Sequence, residues 1–161
     1  MYITLDEYTA IYPQMEESVF NRLSYDACRH IDRLTTGIDG VKKLKTAFPT
    51  DEDSVQSVKY CTAKIINLLL QIQEAEKSAS LGRGYTQTEN GLQGKVISSV
   101  SAGNESISFS TGSSQASAID AAVSDLTARD KLIYSTVREY LSGVQDANGV
   151  NLLYMGVYPR V

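Results

Sequence analysis

The sequence predicts a mainly α protein: a bundle of long helices, one short helix at the N-terminus, and an inserted β-hairpin over residues 95–110. Two patterns carry this reading. Apolar residues recur at three- and four-residue spacing along three long stretches, the signature of a helix with one greasy face. A single region alternates apolar with polar residues at period two and is split by a turn pair. The 161 residues suit one domain, and 42% hydrophobic with 21% charged residues is ordinary globular usage, which excludes a disordered chain and a fibre.

Thr4-Leu5-Asp6-Glu7 has the form of a capping box, a hydroxyl followed three residues on by a carboxylate, and opens a short helix over 5–11 that Pro13 closes. A second helix follows, with Met15, Val19, Leu23, Ala27 and Ile31 in one row and Phe20 and Leu34 beside them. Glu16, Glu17, Arg22, Asp26, Arg29 and Arg33 fill its opposite face. Gly37 is expected to end it in the left-handed conformation. The connector over 38–49 carries Lys42, Lys43 and Lys45, read as solvated surface, with a phosphate-binding patch as the alternative. Asp51-Glu52-Asp53 then suits the positive end of a helix dipole better than it suits a metal.

The helix over 51–78 has the strongest pattern. Val55, Val58, Thr62, Ile65, Leu69 and Ile72 form its stripe, and Ile66, Leu68 and Leu70 widen it almost to a full circle. At 1.5 Å per residue it is roughly 40 Å long. So much apolar surface calls for several neighbours, and a partner subunit is expected to supply part of the cover. Residues 79–94, with four glycines and no hydrophobic period, read as a long loop. The hairpin sets Lys95–Val100 against Ser106–Ser110 around Gly103-Asn104, and must lean on the helices or on another subunit, because an isolated hairpin is marginal in water. The last helix, over 115–142, has the stripe Ile119, Ala122, Val123, Leu126, Ile133, Val137, Tyr140 and Leu141, a bend or break expected at Arg129-Asp130, and Gly143 as its cap. Residues 1–148 thus form one domain. The apolar tail over 149–161 either folds back on the core or docks onto a partner.

Several function classes lack their residues. Nineteen acidic against 15 basic side chains leave a net charge of −4, which argues against gripping nucleic acid through overall charge. No run of eighteen apolar residues marks a membrane span, and MYITLDEYTA lacks the pattern of a signal peptide, so a cytoplasmic site of synthesis and residence is expected. Cys28 and Cys61 are expected to be buried thiols rather than a disulfide. His30 is the only histidine, which leaves zinc sites and acid–base relays short of ligands. No phosphate-loop or dinucleotide fingerprint occurs, and one Gly82-Arg83-Gly84 is no nucleic-acid motif. Asn104-Glu105-Ser106 matches the glycosylation sequon, which a cytoplasmic chain does not present. The expectation is a structural protein with no catalytic residues, no cofactor and no metal.

The order of segments resembles the head–tail connector (adaptor, or head-completion) proteins of long-tailed bacteriophages and prophages. The resemblance is carried by Tyr2-Ile3-Thr4-Leu5-Asp6-Glu7-Tyr8, by Ile31-Asp32-Arg33-Leu34-Thr35, and by Ala47-Phe48-Pro49 with the long apolar helix after it. The segment KVISSVSAGNESISFS and the closing Tyr140-Leu141 and Gly149–Val157 belong to it as well. It implies a ring of identical subunits, commonly twelve, below the portal protein in the virion neck, assembled in the host cytoplasm. Such a ring extends the channel through which DNA passes without specific binding, and offers a platform for the head–tail stopper or tail protein. On this reading Leu152, Leu153, Tyr154, Met155, Val157 and Tyr158 are expected to contact the portal, while Val96, Val100, Ile107 and Phe109 contact neighbouring subunits or the protein below. The alternative is a helical DNA-packaging module such as a small terminase subunit, holding DNA through Lys42, Lys43 and Lys45.

Overall fold

The protein is described by a computed structural model over residues 1–13, 15–81, 83–88, 91–96, 99–102, 105–108 and 118–159, with side chains outside 78–117. Six helices lie among the described residues: α1 (Leu5–Thr9), α2 (Glu17–Thr35), α3 (Lys43–Thr46), α4 (Glu52–Leu81), α5 (Ala118–Ser124) and α6 (Leu126–Leu141). The mainly helical class holds.

The capping box forms as the sequence requires. Thr4 Oγ1 accepts from the Glu7 backbone N–H at 3.3 Å, and Glu7 Oε2 accepts from the Thr4 N–H at 2.9 Å. The second Glu7 oxygen accepts from Lys59 Nζ at 2.6 Å, so one carboxylate caps α1 and ties it to α4. Tyr8 is buried and stacks with Tyr12 at 5.5 Å between ring centroids. Asp51 caps α4 by accepting from the Ser54 N–H at 2.8 Å, the role that dipole and capping preferences assign to an acid there.

Helix α4 is the axis of the body, with α2, α5 and α6 all packed on it. Its Val58, Cys61, Ala63, Ile65, Ile66, Leu68 and Ile72 are buried inside the one chain. Val55, Leu69 and Leu70 of the expected stripe stay half-buried, so the chain itself covers most, but not all, of the described apolar face of this helix. Phe20, Leu23, Ala27 and Ile31 of α2 close one side, and Ala122, Ile133, Val137 and Leu141 of α5 and α6 close the other. The C-terminal helix breaks at Asp125, four residues before the expected place. The Asp125 side chain accepts from the Thr127 N–H at 2.7 Å and restarts the helix. Arg129, at the expected break, instead donates to the Ala122 carbonyl at 3.0 Å and to Glu76, pinning α5 and α6 to α4.

Between α4 and α5 the sequence boundaries need correction. Helix α4 continues to Leu81, and most of the stretch read as a loop over 79–94 lies in β1 (Arg83–Thr88) and β2 (Gly91–Val96), an antiparallel pair. A hairpin with strands 95–100 and 106–110 is not supported. Lys95 and Val96 belong to β2, opposite Gly84 and Arg83, and a second pair joins β3 (Ser99–Ala102) to β4 (Glu105–Ser108). Phe109 and Ser110 lie outside the described residues. Strands rich in Gly, Ser and Thr carry no apolar face strong enough to specify register, which is why alternation alone misplaced them.

The tail folds back on the body. The Leu152 N–H donates to the Val144 carbonyl at 2.9 Å, and Asp146 Oδ1 accepts from the Asn148 and Val150 N–H groups, each at 2.9 Å. Tyr158 is buried: its hydroxyl donates to Asp146 Oδ2 at 2.6 Å and its N–H donates to Asp39 Oδ2 at 2.8 Å. Lys43 locks the arrangement. Its side chain is fully buried, and Nζ donates to the carbonyls of Thr35 at 3.1 Å, Leu152 at 3.1 Å and Tyr154. An ammonium has three N–H donors, and all three are used. Burial pushes this amine below the usual lysine range, while the charges of Asp146 and Asp39 pull it back up.

Gly37 does not end α2 in the left-handed region, as the sequence suggests; among the described residues the positive-φ glycines are Gly40, Gly143 and Gly149. Gly143 does adopt that conformation just past α6, as expected. Gly37 is needed for space, because a Cβ there would sit 2.6 Å from the Gly156 carbonyl oxygen.

Two substitutions test this closure. Lys43→Met leaves three inward carbonyls without a donor and is expected to cost about 3 kcal/mol in urea unfolding. Gly37→Ala should cost about 1–2 kcal/mol by pushing the tail outward. Unchanged urea midpoints for both variants contradict the tail's role as part of the core.

Candidate functional site

Two surfaces stand out, one charged and one apolar. Tyr25, Arg29 and Arg33 stand at four-residue intervals and so share one face of α2. The connector folds Lys42 and Lys45 toward that face, and a cleft of about 500 Å³ opens between them, lined also by Asp26, His30 and Asp32. A smaller recess of about 280 Å³ adjoins it, sharing Tyr25, Arg29, Asp32 and Lys45 and reaching Tyr2 and Cys28.

The charges of the cleft are unevenly matched. Asp32 is buried, with Oδ1 accepting from the Tyr2 hydroxyl and Oδ2 paired to Lys45 Nζ at 3.1 Å. Arg33 pairs with Asp130 of α6 at 3.1 Å. The Arg29 guanidinium lies 5.9 Å from the centroid of the Tyr25 ring. Arg29 and Lys42 take part in none of the ion pairs among the described residues. Partial burial and the neighbouring Arg33 push the His30 imidazole below its ordinary value of 6.5, against the opposing pull of Asp130 and Asp26. The four-residue ladder of α2 is present in the sequence, but only the fold brings the connector lysines beside it. Of the three lysines in the alternative phosphate patch, Lys42 and Lys45 are exposed at the cleft, and Lys43 points into the core.

The second surface is the tail. Of its six expected contact residues, Leu152 and Tyr158 are buried as anchors and Leu153 is half-buried. Tyr154, Met155 and Val157 are exposed at 50%, 58% and 64%. Ile38, 80% exposed, joins them, because its N–H donates to the Met155 carbonyl at 3.1 Å. A groove of about 450 Å³ runs beside them between Leu34 of α2, Tyr134 and Arg138 of α6, and Leu153 and Met155. Of the two alternatives set out for the tail, folding back on the core is what occurs through Leu152 and Tyr158, and the exposed residues are the part left open to a partner. Among the four residues expected at a second contact, Val100 pairs with Ile107 across β3 and β4, Val96 pairs with Arg83, and Phe109 is outside the described residues.

The thiols are free, and burial drives both away from reactivity: Cys61 is pushed up to about 12 and Cys28 also rises, whereas a nucleophilic thiolate needs the opposite shift. Among the described residues, no three His, Cys, Asp or Glu side chains gather to hold a metal ion, and no helix is long and apolar enough to cross a membrane. No family model, curated protein or solved structure matches the chain.

The depressed His30 gives a pH test. The unfolded imidazole takes up a proton near 6.5, while the folded one resists it until lower pH, so acidification favours the unfolded chain in that window. Stability of the wild type should fall between about pH 7 and 5, where carboxylates stay ionised. His30→Gln should flatten that slope in urea unfolding, and an unaltered slope contradicts the assignment.

Proposed function

We propose that this chain is a head–tail connector subunit of a long-tailed bacteriophage, one copy in a ring below the portal that extends the DNA channel and joins head to tail. The observation that carries this reading is the division of labour in the tail. Leu152 and Tyr158 fasten it to the body, which leaves Tyr154, Met155 and Val157 presented together with Ile38 on a rigid base. A fixed apolar display of this kind suits a protein whose work is to be gripped by another, since single-chain cores hide such residues. The resemblance carried by Tyr2–Tyr8, Ile31–Thr35, Ala47–Pro49, the long helix after it and the closing segments supports the same reading, and the net charge of −4 suits a conduit past which DNA slides.

In this scheme the tail meets the portal, and the segment holding Val96, Val100, Ile107 and Phe109 meets neighbouring copies or the stopper below. The function is structural, in the neck of the virion, with assembly in the host cytoplasm. With most of the described apolar face of α4 covered within one chain, the ring forms mainly through surface contacts between folded subunits. The small-terminase alternative loses support from Lys43, whose ammonium is spent on backbone carbonyls and is closed to DNA.

The test is co-sedimentation with portal rings of the same phage. The wild type should bind, and Met155→Ser with Val157→Ser should weaken binding at least tenfold, as loss of a small apolar hot spot does, while urea stability stays within about 0.5 kcal/mol. Equal binding by the double variant, or no binding by the wild type at any concentration, overturns the proposal.

A further inference from the structure

The cleft beside α2 is not absorbed by the connector reading, and its composition is unusual for this chain. The protein carries four more acidic than basic side chains, yet four cations, Arg29, Arg33, Lys42 and Lys45, line the cleft against two carboxylates, Asp26 and Asp32. Both Asp32 oxygens are engaged, by Tyr2 and Lys45, so that carboxylate has little left to offer Arg29 or Lys42. Those two exposed cations take part in none of the ion pairs among the described residues. Beside them stands Tyr25, 64% exposed, with the Arg29 guanidinium 5.9 Å from its ring centroid.

We infer that this cleft binds a single strand of nucleic acid, with phosphates held by Arg29 and Lys42 and a base stacked on Tyr25. Arginine and lysine at unopposed positions form the electrostatic half of such a site, and an exposed aromatic face forms the other half. The ring is what separates this occupant from an acidic protein segment, whose carboxylates offer no flat face to stack. The volume of about 500 Å³ is ample for one nucleotide, within the range of about 300–1,000 Å³ typical of small-ligand sites. Two to four phosphate contacts make a weak, salt-sensitive grip, one that a sliding strand escapes easily. The inference does not rest on the connector reading, since the cleft is complete within one chain.

The experiment is fluorescence anisotropy of the whole protein with a labelled thymidine oligonucleotide of about twelve residues at about 20 mM salt. Binding is expected, with a log–log salt slope of roughly −1.5 to −3. Arg29→Ala with Lys42→Ala should weaken it at least tenfold while leaving the Arg33–Asp130 and Lys45–Asp32 pairs in place. Tyr25→Ala should weaken the oligonucleotide but not inorganic polyphosphate, which has nothing to stack. The single histidine reports from within: its ring resonance should move on titration, because an anion beside Arg29 and Arg33 eases protonation of His30. No binding at low salt, equal binding by the double variant, or displacement by polyglutamate as effective as by unlabelled oligonucleotide overturns the inference, the last by marking a site for acidic protein.

Discussion

The body of this protein is closed by one buried ammonium. Lys43 sits at the start of α3 with no carboxylate in contact, and its three protons go to carbonyls from the end of α2 and from the tail. A charge taken out of water is costly unless each donor finds a partner, and here all of them do. Asp146 and Asp39 add a favourable field without touching it, and both hold the tail by other means, Asp146 through the Tyr158 hydroxyl and Asp39 through the Tyr158 N–H. The last described residues therefore behave as part of the fold. Their exposed members are displayed from a fixed base rather than from a loose end.

Around that closure the helices divide their tasks. Helix α4 supplies the apolar axis, α2 and the α5–α6 pair wrap it, and ion pairs at the rim join the elements: Lys59 to Glu7, Arg129 to Glu76 and Arg33 to Asp130. Such partly exposed pairs add little stability individually. The two surfaces left over differ in kind. One is greasy and lies along the tail; the other is cationic and lies along α2. They lie on different segments of the chain.

Much of this was legible in the sequence wherever the cause was local. The capping box at Thr4 and Glu7, the stripe of α2 and the long apolar α4 follow from spacing a few residues wide, and the structure has them within a few positions. Features made by distant segments were not legible. Gly37 reads as a helix terminator because glycines often are, but its reason is a carbonyl of Gly156, far along the chain. Lys43 reads as one of three surface lysines because nothing within a helical turn reveals the carbonyls of Leu152 and Tyr154. Asp125, an ordinary acid amid a periodic stripe, outweighs Arg129-Asp130 as the break because its side chain can cap, and theirs are drawn off to Ala122 and Arg33. The cationic cleft was half visible: the ladder of Tyr25, Arg29 and Arg33 is local, whereas its meeting with Lys42 and Lys45 is not.

The Lys43 lock also orders events during synthesis. The carbonyls of Leu152 and Tyr154 are added 109 and 111 residues after the lysine. At about 5–20 residues per second, a ribosome takes roughly 5–20 s to deliver them. Through that interval the amine stays hydrated, and the connector that carries it has no reason to turn inward. Helices α2 and α4 are free to pair early, but this corner is sealed only when the segment holding Leu152 and Tyr154 clears the exit tunnel. A nascent chain halted before Leu152 therefore leaves the ribosome with its α2–α3 corner still ajar.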